Sequence, residues 1–319
     1  MDTADMKAAQ KARRRKQESS IEGALALFQL TNRAEGKSRD TLEWYELTVG
    51  RFIKWMESTE SFVPMGEVTD DHLRGHVIYL GERKTRRGHP LAKSSINTYV
   101  RGLRAFFRWA AEEGFTDENI AKRVKPPRVV SKLIEILGED EAELLIAHVS
   151  SSPRNYAIVL LFLDTGLRVS ELAGLEIANV NFGVGYVKVM GKGSKERIVP
   201  FGHETHQALY KYMTYHRPPV SGVRSFFVSE QGQGLRKQGV ISIFKALKRT
   251  MGIHRLHAHL LRHTYATNFL MAGGSSLLLK QNLGHAAMSM VDHYVHLASQ
   301  RAVEVSREFS PIDRMKRKR

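Results

Sequence analysis

Apolar positions recur every three to four residues along much of this 319-residue chain, and the spacing predicts a mainly helical protein. Ile21, Leu25 and Phe28 begin the first stripe. A longer one, Leu42, Tyr45, Val49, Phe52, Ile53 and Met56, follows Asp40 and Glu43, whose spacing predicts a capping box at its start. Thr69 is placed to cap a third helix bearing Leu73, Val77 and Leu80. A fourth, from about Lys93 to Glu112, carries Ile96, Val100, Leu103, Phe107 and Ala110 on one side. Tyr45, Tyr99 and Trp109 fall on or beside these stripes, which assigns them to core packing rather than to base stacking. Residues 20–123 are therefore expected to form one helical bundle.

The pattern breaks at Val124 to Lys132 (VKPPRVVSK), where Pro126 and Pro127 hold the chain extended and predict a basic linker over 124–132. Glu139, Asp140 and Glu141 then mark a new helix start, where acidic side chains suit the positive end of the helix dipole. Residues 156–163 read as a buried apolar helix, broken at Asp164-Thr165-Gly166 before a second helix at 168–175. Residues 185–200 (GYVKVMGKGSKERIVP) change to a period of two around Gly191-Lys192-Gly193, which predicts a β-hairpin. Helices resume from about Lys237 to Gly252 and again from Leu260 onward. The expected architecture is mainly α with a small antiparallel sheet: a helical domain at 20–123 and an α+β domain at 133–313, with basic tails at 1–19 and 314–319.

Composition narrows the class. Cysteine is absent, so disulfides and thiolate metal sites are excluded. The longest apolar run, Tyr156 to Leu163, falls well short of the roughly twenty residues a membrane span needs. The N-terminus lacks the apolar stretch of a signal peptide, so a cytoplasmic, nucleoid-associated protein is expected. Forty-nine basic residues against 33 acidic ones give a net charge of +16, which makes nucleic acid the first partner to consider. The excess is unevenly spread. No acid occurs in residues 83–108, which hold Arg86, Arg87, Lys93, Arg101, Arg104 and Arg108 as candidate DNA-binding residues. Arg101, Arg104 and Arg108 fall at i, i+3 and i+7, a spacing that lets all three face one DNA backbone. A second acid-free stretch runs from Gln231 to Val291, as suits a surface that lies against phosphates.

Four short segments carry candidate chemistry. They are TGLRVSEL at 165–172, the hairpin around Lys192, HLLRH at 259–263, and LGH at 283–285 followed nine residues later by Tyr294. Each alone has a commonplace reading, such as an ion-pair arginine, a solvated turn lysine or a packed histidine. Together and in this order, the set resembles the tyrosine recombinase (phage integrase) family, with an arginine box, a hairpin lysine, an HxxR box, an LGH box and a tyrosine. The resemblance spans residues 20–310, and the layout is similar to Xer-like recombinases and simple integrases. Two departures are HLLR, where an acidic residue often follows the histidine, and Ala-Ala-Met-Ser-Met after His285, where a Ser/Thr-rich run is common.

The resemblance implies a SAM-like core-binding domain followed by a catalytic domain, with Arg168, Lys192, His259, Arg262, His285 and Tyr294 as catalytic residues. It implies site-specific cutting and rejoining of DNA through a 3′-phosphotyrosine on Tyr294, with strand exchange through a Holliday junction and neither metal nor ATP. The event served would be integration or excision of a mobile element, or resolution of DNA dimers. The implied partners are double-stranded DNA with an inverted-repeat site and three further copies of the chain, making a homotetramer on two duplexes, with room for a partner recombinase or accessory protein; no membrane is implied. The residue types suit that chemistry. Two guanidinium forks match two non-bridging phosphate oxygens and stay charged at any working pH. A phenol with an ordinary pKa near 10 needs help to attack, and His259, three residues before Arg262, suits acid–base work on it. Lys192 suits protonation of the departing 5′-oxygen. Three other readings stay open: single-strand relaxation of the type IB topoisomerase kind, DNA binding without catalysis, and a metal hydrolase using His257, His259 and His263.

Overall fold

The computed structural model describes residues 11–12, 14–85, 88–129, 134–191, 195–284, 287–288, 291–292, 294–296 and 298. The chain divides into two compact units, residues 1–131 and 132–319. Lys192, His285, Arg86 and Arg87, much of the two tails and residues 130–132 of the expected linker lie outside the described residues.

In the first unit, α1 (Ile21–Ala34), α2 (Arg39–Ser58), α3 (Asp70–Glu82) and α4 (Lys93–Glu112) are the four helices that the stripes predict. Ser20 caps α1 by accepting from Gly23 N. The α2 cap differs from the expected Asp40–Glu43 box. Ser38 holds that position and accepts from Thr41 N, so Asp40 sits in the first turn as an acid near the positive dipole end. Thr69 does cap α3, and its partner is a ring, since Thr69 N donates to His72 Nδ1 at 3.0 Å. Phe28, Phe52, Phe106, Phe107 and Phe115 fill the core. Tyr45 packs on Phe28 with ring centroids 4.7 Å apart, and Trp109 on Phe115 at 5.2 Å. Tyr99 lies under the Arg51 guanidinium, which is 4.7 Å from its ring centroid. All three aromatics expected to pack rather than stack on bases are thus engaged within the unit. Residues 124–129 have no regular structure.

The second unit is built around α6 (Pro153–Thr165), whose residues Ala157 to Phe162 are all buried. Before it comes α5 (Glu139–Val149), with three acids in its first turn. After it come α7 (Val169–Ala173), α8 (His203–Lys211), α9 (Lys237–Met251), α10 (Ala258–Met271) and α11 (Ser276–Leu283). A three-stranded antiparallel sheet in the order β1-β2-β3 separates α7 from α8. Strands β2 (Tyr186–Met190) and β3 (Glu196–Pro200) form the expected hairpin, and the two-residue β1 (Val180–Asn181) adds to its free edge. The register pairs Val187 with Val199 and Val189 with Arg197. Both valines of β2 and Val199 are buried, so Arg197 occupies an inward position. Ile198 between them points outward and is 56% exposed. No helix among the described residues is long and apolar enough to cross a membrane.

Candidate active site

The site is assembled around two chain breaks, each made by a glycine at a helix end. Gly166 closes α6 in the left-handed region, at φ 61° and ψ 28°. A side chain there would also collide, since a Cβ would fall 2.4 Å from Tyr265 and 2.8 Å from Leu283. The turn delivers Arg168 to the N-cap of α7. Arg168 N donates to Glu171 Oε2 at 2.7 Å, and Arg168 Nη1 donates to Glu171 Oε1 at 2.8 Å. Gly284 closes α11 in the same conformation, at φ 61°.

Three arginines converge on the C-terminal end of α11. Arg197 Nε donates to Asn282 O at 2.8 Å, Arg262 Nη2 to Leu283 O at 2.8 Å, and Arg168 Nη2 to Gly284 O at 3.3 Å. The last carbonyls of a helix have no partner within it and lie at its negative end, so cations suit them on both counts. Arg262 also donates from Nη1 to Gly166 O at 2.5 Å, which ties the ends of α6 and α11 together. The anion among these cations is Glu171. Its two oxygens accept a bidentate pair from Arg197 at 2.7 and 2.8 Å, besides the bonds from Arg168. Burial pulls the Glu171 carboxyl upward, but the hydrogen bonds from Arg197 and Arg168 and the Arg197 charge outweigh it and hold it at about 2. Arg262 is 1% exposed. Burial, then the charge of Arg168, lower it to about 10, so it stays a cation at neutral pH.

α10 supplies the remaining groups. His259, Arg262 and His263 lie at i, i+3 and i+4, hence on one side of the helix. His259 is exposed, whereas His263 is half-buried. Their rings meet edge to face at 4.5 Å. Both titrate below the ordinary histidine value. For His259 the causes are partial desolvation of the ring against the unit, then the charges of Arg262, His257 and Arg168. For His263 burial, then His259, Arg262 and His257, bring it down to about 4. Tyr294 is 4% exposed and packs with Tyr265, Leu279, Leu283 and Val291. Burial raises its phenol above the ordinary value, while the charges of Arg262 and Arg168 pull it back.

The structure therefore brings Arg168, Arg262, His259 and Tyr294 into one site. One expected pairing differs: the phenol meets His263, whose Nδ1 is 2.8 Å from Tyr294 Oη, rather than His259. In the sequence His263 stands out only as a ligand of the metal-hydrolase alternative, although its i+4 spacing from His259 puts it on the same side of α10. Arg197 does not stand out there, although its place in β3 is one residue out of step with the apolar alternation. Among the described residues, no three histidines or carboxylates gather as a metal-binding group.

The candidate DNA-binding residues on α4 are less uniform than their spacing suggests. Lys93, Arg101 and Arg108 are exposed. Arg101 lies 6.0 Å from the Trp44 ring centroid. Arg104 departs from the expected three-arginine face, because its Nη2 donates to Val124 O at 2.5 Å and it is half-buried. That bond satisfies a carbonyl after the 3₁₀ turn Ile120–Arg123, where no helix partner exists.

A model of the phage integrase family matches residues 135–301, and one of the phage integrase SAM-like domain matches residues 25–125. Tyrosine recombinase XerD of Listeria monocytogenes is 29% identical over 285 residues, covering 86% of this chain and 94% of that protein. Tyrosine recombinase XerD of Halalkalibacterium halodurans is 30% identical over 284 residues, covering 86% and 93%. Among solved structures, the Tn1549 transposon integrase in complex with a circular intermediate DNA superposes with a TM-score of 0.68 at 18% identity, covering 90% of this chain and 99% of that one. The XerH site-specific recombinase bound to a palindromic difH substrate gives 0.67 at 20% identity, covering 83% and 79%. At these identities the two structures speak for the fold: a SAM-like helical domain and a catalytic domain with a small antiparallel sheet.

Proposed function

The chain belongs to the phage integrase family, and from that premise we propose that Tyr294 is the nucleophile of a site-specific DNA recombinase. The enzyme is of the tyrosine type and breaks and rejoins DNA strands. The observation that carries the residue assignment is the convergence of Arg168, Arg262 and His259 on the side of the unit where the Tyr294 phenol feels both guanidinium charges.

In this reading Tyr294 Oη attacks the scissile phosphorus, its proton passes to the neutral imidazole of His259, and the bond from phosphorus to the 5′-oxygen breaks. Arg168 and Arg262 spread the charge that builds on the non-bridging oxygens, as donors in an oxyanion hole do. His285 donates a further hydrogen bond to the phosphate. Lys192 gives the departing 5′-oxygen its proton. The product is a 3′-phosphotyrosine, which keeps the energy of the cleaved bond, so a 5′-hydroxyl of another strand reseals it without ATP. Arg168 and Arg262 would leave backbone carbonyls for phosphate oxygens, an exchange of one set of charge-assisted hydrogen bonds for a stronger one.

The same proposal extends to the assembly. The XerH relative is bound to a palindromic site, which supports an inverted-repeat DNA partner here. A homotetramer on two duplexes, exchanging one pair of strands at a time through a Holliday junction, follows from inverted repeats read by identical chains. The exposed cations Lys93, Arg101 and Arg108 hold the DNA backbone, and Arg86 and Arg87 belong to the same acid-free stretch. The work is done on chromosomal or mobile-element DNA in the cytoplasm. The test is a nicked suicide duplex that traps the covalent adduct. Tyr294→Phe is expected to remove the adduct while leaving DNA affinity within about twofold, because only the attacking oxygen is lost. Adducts that persist in this variant overturn the assignment.

A further inference from the structure

His263 lies between two histidine-site neighbours of opposite character. On one side is His259, exposed at the surface, with ring centroids 4.5 Å apart. On the other is the Tyr294 phenol, 4% exposed, with ring centroids 5.6 Å apart and His263 Nδ1 2.8 Å from Oη. A buried hydroxyl that has left water needs hydrogen-bond partners, and a loosely held one samples several rotamers of its phenol O–H. The contact atom is Nδ1, the ring nitrogen nearest the backbone, on a helix anchored by the two backbone bonds of Arg262. A group so short and so fixed defines where Oη sits.

We propose that His263 is a further active-site residue of the recombinase, the acceptor that orients the Tyr294 hydroxyl for attack. The inference rests on Tyr294 being the nucleophile. The imidazole is suited to this task because it stays neutral. Burial and the neighbouring charges keep it at about 4, so at neutral pH one nitrogen is free to accept. With the proton on Nε2, Nδ1 receives the phenolic O–H and fixes its direction. The remaining lone pairs of Oη then point away from His263. His259 is left to take the phenolic proton at the moment of attack, and the two histidines of HLLRH divide the work, the outer one serving the proton and the inner one the position of the nucleophile. Misplacing a reacting atom by about 1 Å costs on the order of 10²-fold in rate, so a fixed hydroxyl has a large effect without taking part in proton transfer.

The test uses the full chain and measures the first-order rate of covalent adduct formation on the suicide duplex at saturating protein. His263→Ala is expected to slow it about 10²-fold with unchanged DNA affinity. His263→Asn places an amide oxygen at the same number of bonds from the backbone as Nδ1, and is expected to keep the rate within about threefold. His263→Gln puts its oxygen one bond further out and is expected to resemble the alanine variant. A wild-type or faster rate in His263→Ala overturns the proposal, the faster rate meaning that the contact restrains the tyrosine. Equal rates in the Asn and Gln variants overturn it too, and this pair decides the matter if the alanine variant does not fold. Tyr294→Phe on the same duplex separates the two levels: adducts there sink the nucleophile reading. Their absence, beside an unimpaired His263→Ala, sinks only the role of His263.

Discussion

In the N-terminal unit Phe28, Tyr45, Phe106 and Trp109 pack ring on ring, and the ion pairs Arg39–Glu43 and Arg123–Glu118 lie at the surface. In the C-terminal unit Arg262 is 1% exposed, Glu171 is 6% exposed, and three arginines hold the end of α11. The first arrangement is what apolar transfer from water produces unaided. The second runs against it, since removing ions from water costs several kcal/mol each unless partners and hydrogen bonds compensate. Glu171 supplies that compensation. It leaves a net positive cluster whose arginines are hydrogen-bonded in place before any phosphate arrives, which suits a site for a charged transition state. Among its described residues the N-terminal unit has no such centre, and its candidate DNA-binding cations Lys93, Arg101 and Arg108 are exposed.

The comparison breaks most sharply at Glu171. Glu171→Gln keeps the shape but removes the anion, and is expected to cost about 3–5 kcal/mol of stability in denaturant titrations, as breaking a buried pair does. Arg197→Met should cost less, because Arg168 still pairs with the carboxylate. The pH sign follows from the lowered carboxyl. The contribution of Glu171 is present above about pH 4.5, its ordinary value, and is lost as pH falls toward about 2. The glutamine variant should lack that loss. Equal stability of the variant at neutral pH would mean that the cluster is solvated and the contrast between the units false.

The same contrast explains what was legible in the sequence. The N-terminal helices show one apolar stripe each, and the stripes alone place them. The proposed active-site arginines Arg168 and Arg262 stand out only as parts of a motif, because nothing in periodicity distinguishes an inward arginine from a surface one. Arg197 shows the difficulty best. In KERIVP, Ile198 looks like the inward residue, yet the pairing of Val187 with Val199 and of Val189 with Arg197 turns it out to solvent. Strand register sets that face, and register depends on the partner strand, which local pattern does not contain. Likewise the α2 cap moved to Ser38 because a hydroxyl two residues earlier reaches the N–H of Thr41, while the acid at Asp40 fits the first turn as well as the cap. His263 required knowing that α10 and the Tyr294 segment meet.

A smaller break is expected where Gly102 of α4 faces Thr48 of α2. A Cβ on Gly102 would fall 2.2 Å from Thr48 Oγ1 and 2.7 Å from Thr48 Cβ, and Thr48 is fully buried. Gly102→Ala must therefore spread two helices that an all-apolar pattern would let touch. The expected cost is about 1–3 kcal/mol, read as a lower midpoint for the N-terminal unit in thermal melts. The paired change Gly102→Ala with Thr48→Ala should recover part of it, since the clashing atoms are those of the threonine. No recovery would place the strain in the backbone.

The smallest effect at neutral pH tests the one titratable side chain in the buried class of the N-terminal unit among the described residues. His76 is fully buried between Phe52, Trp55 and Tyr79, and neither ring nitrogen hydrogen-bonds among the described residues. Burial, then the Arg51 charge, push it down to about 3. The unfolded chain therefore takes up a proton below its ordinary value of 6.5 while the folded chain does not, and stability must fall as pH drops from there toward about 3. His76→Leu is close in volume and removes both unsatisfied nitrogens. It is expected to stabilise the unit by about 1 kcal/mol at neutral pH. Its advantage should then grow by roughly 1.4 kcal/mol for each pH unit below 6.5. A variant less stable than wild type at pH 5 would show that the imidazole has a partner there. The N-terminal unit would then also hold a buried polar device, and the division between an oil-packed unit and a charge-packed one would fail.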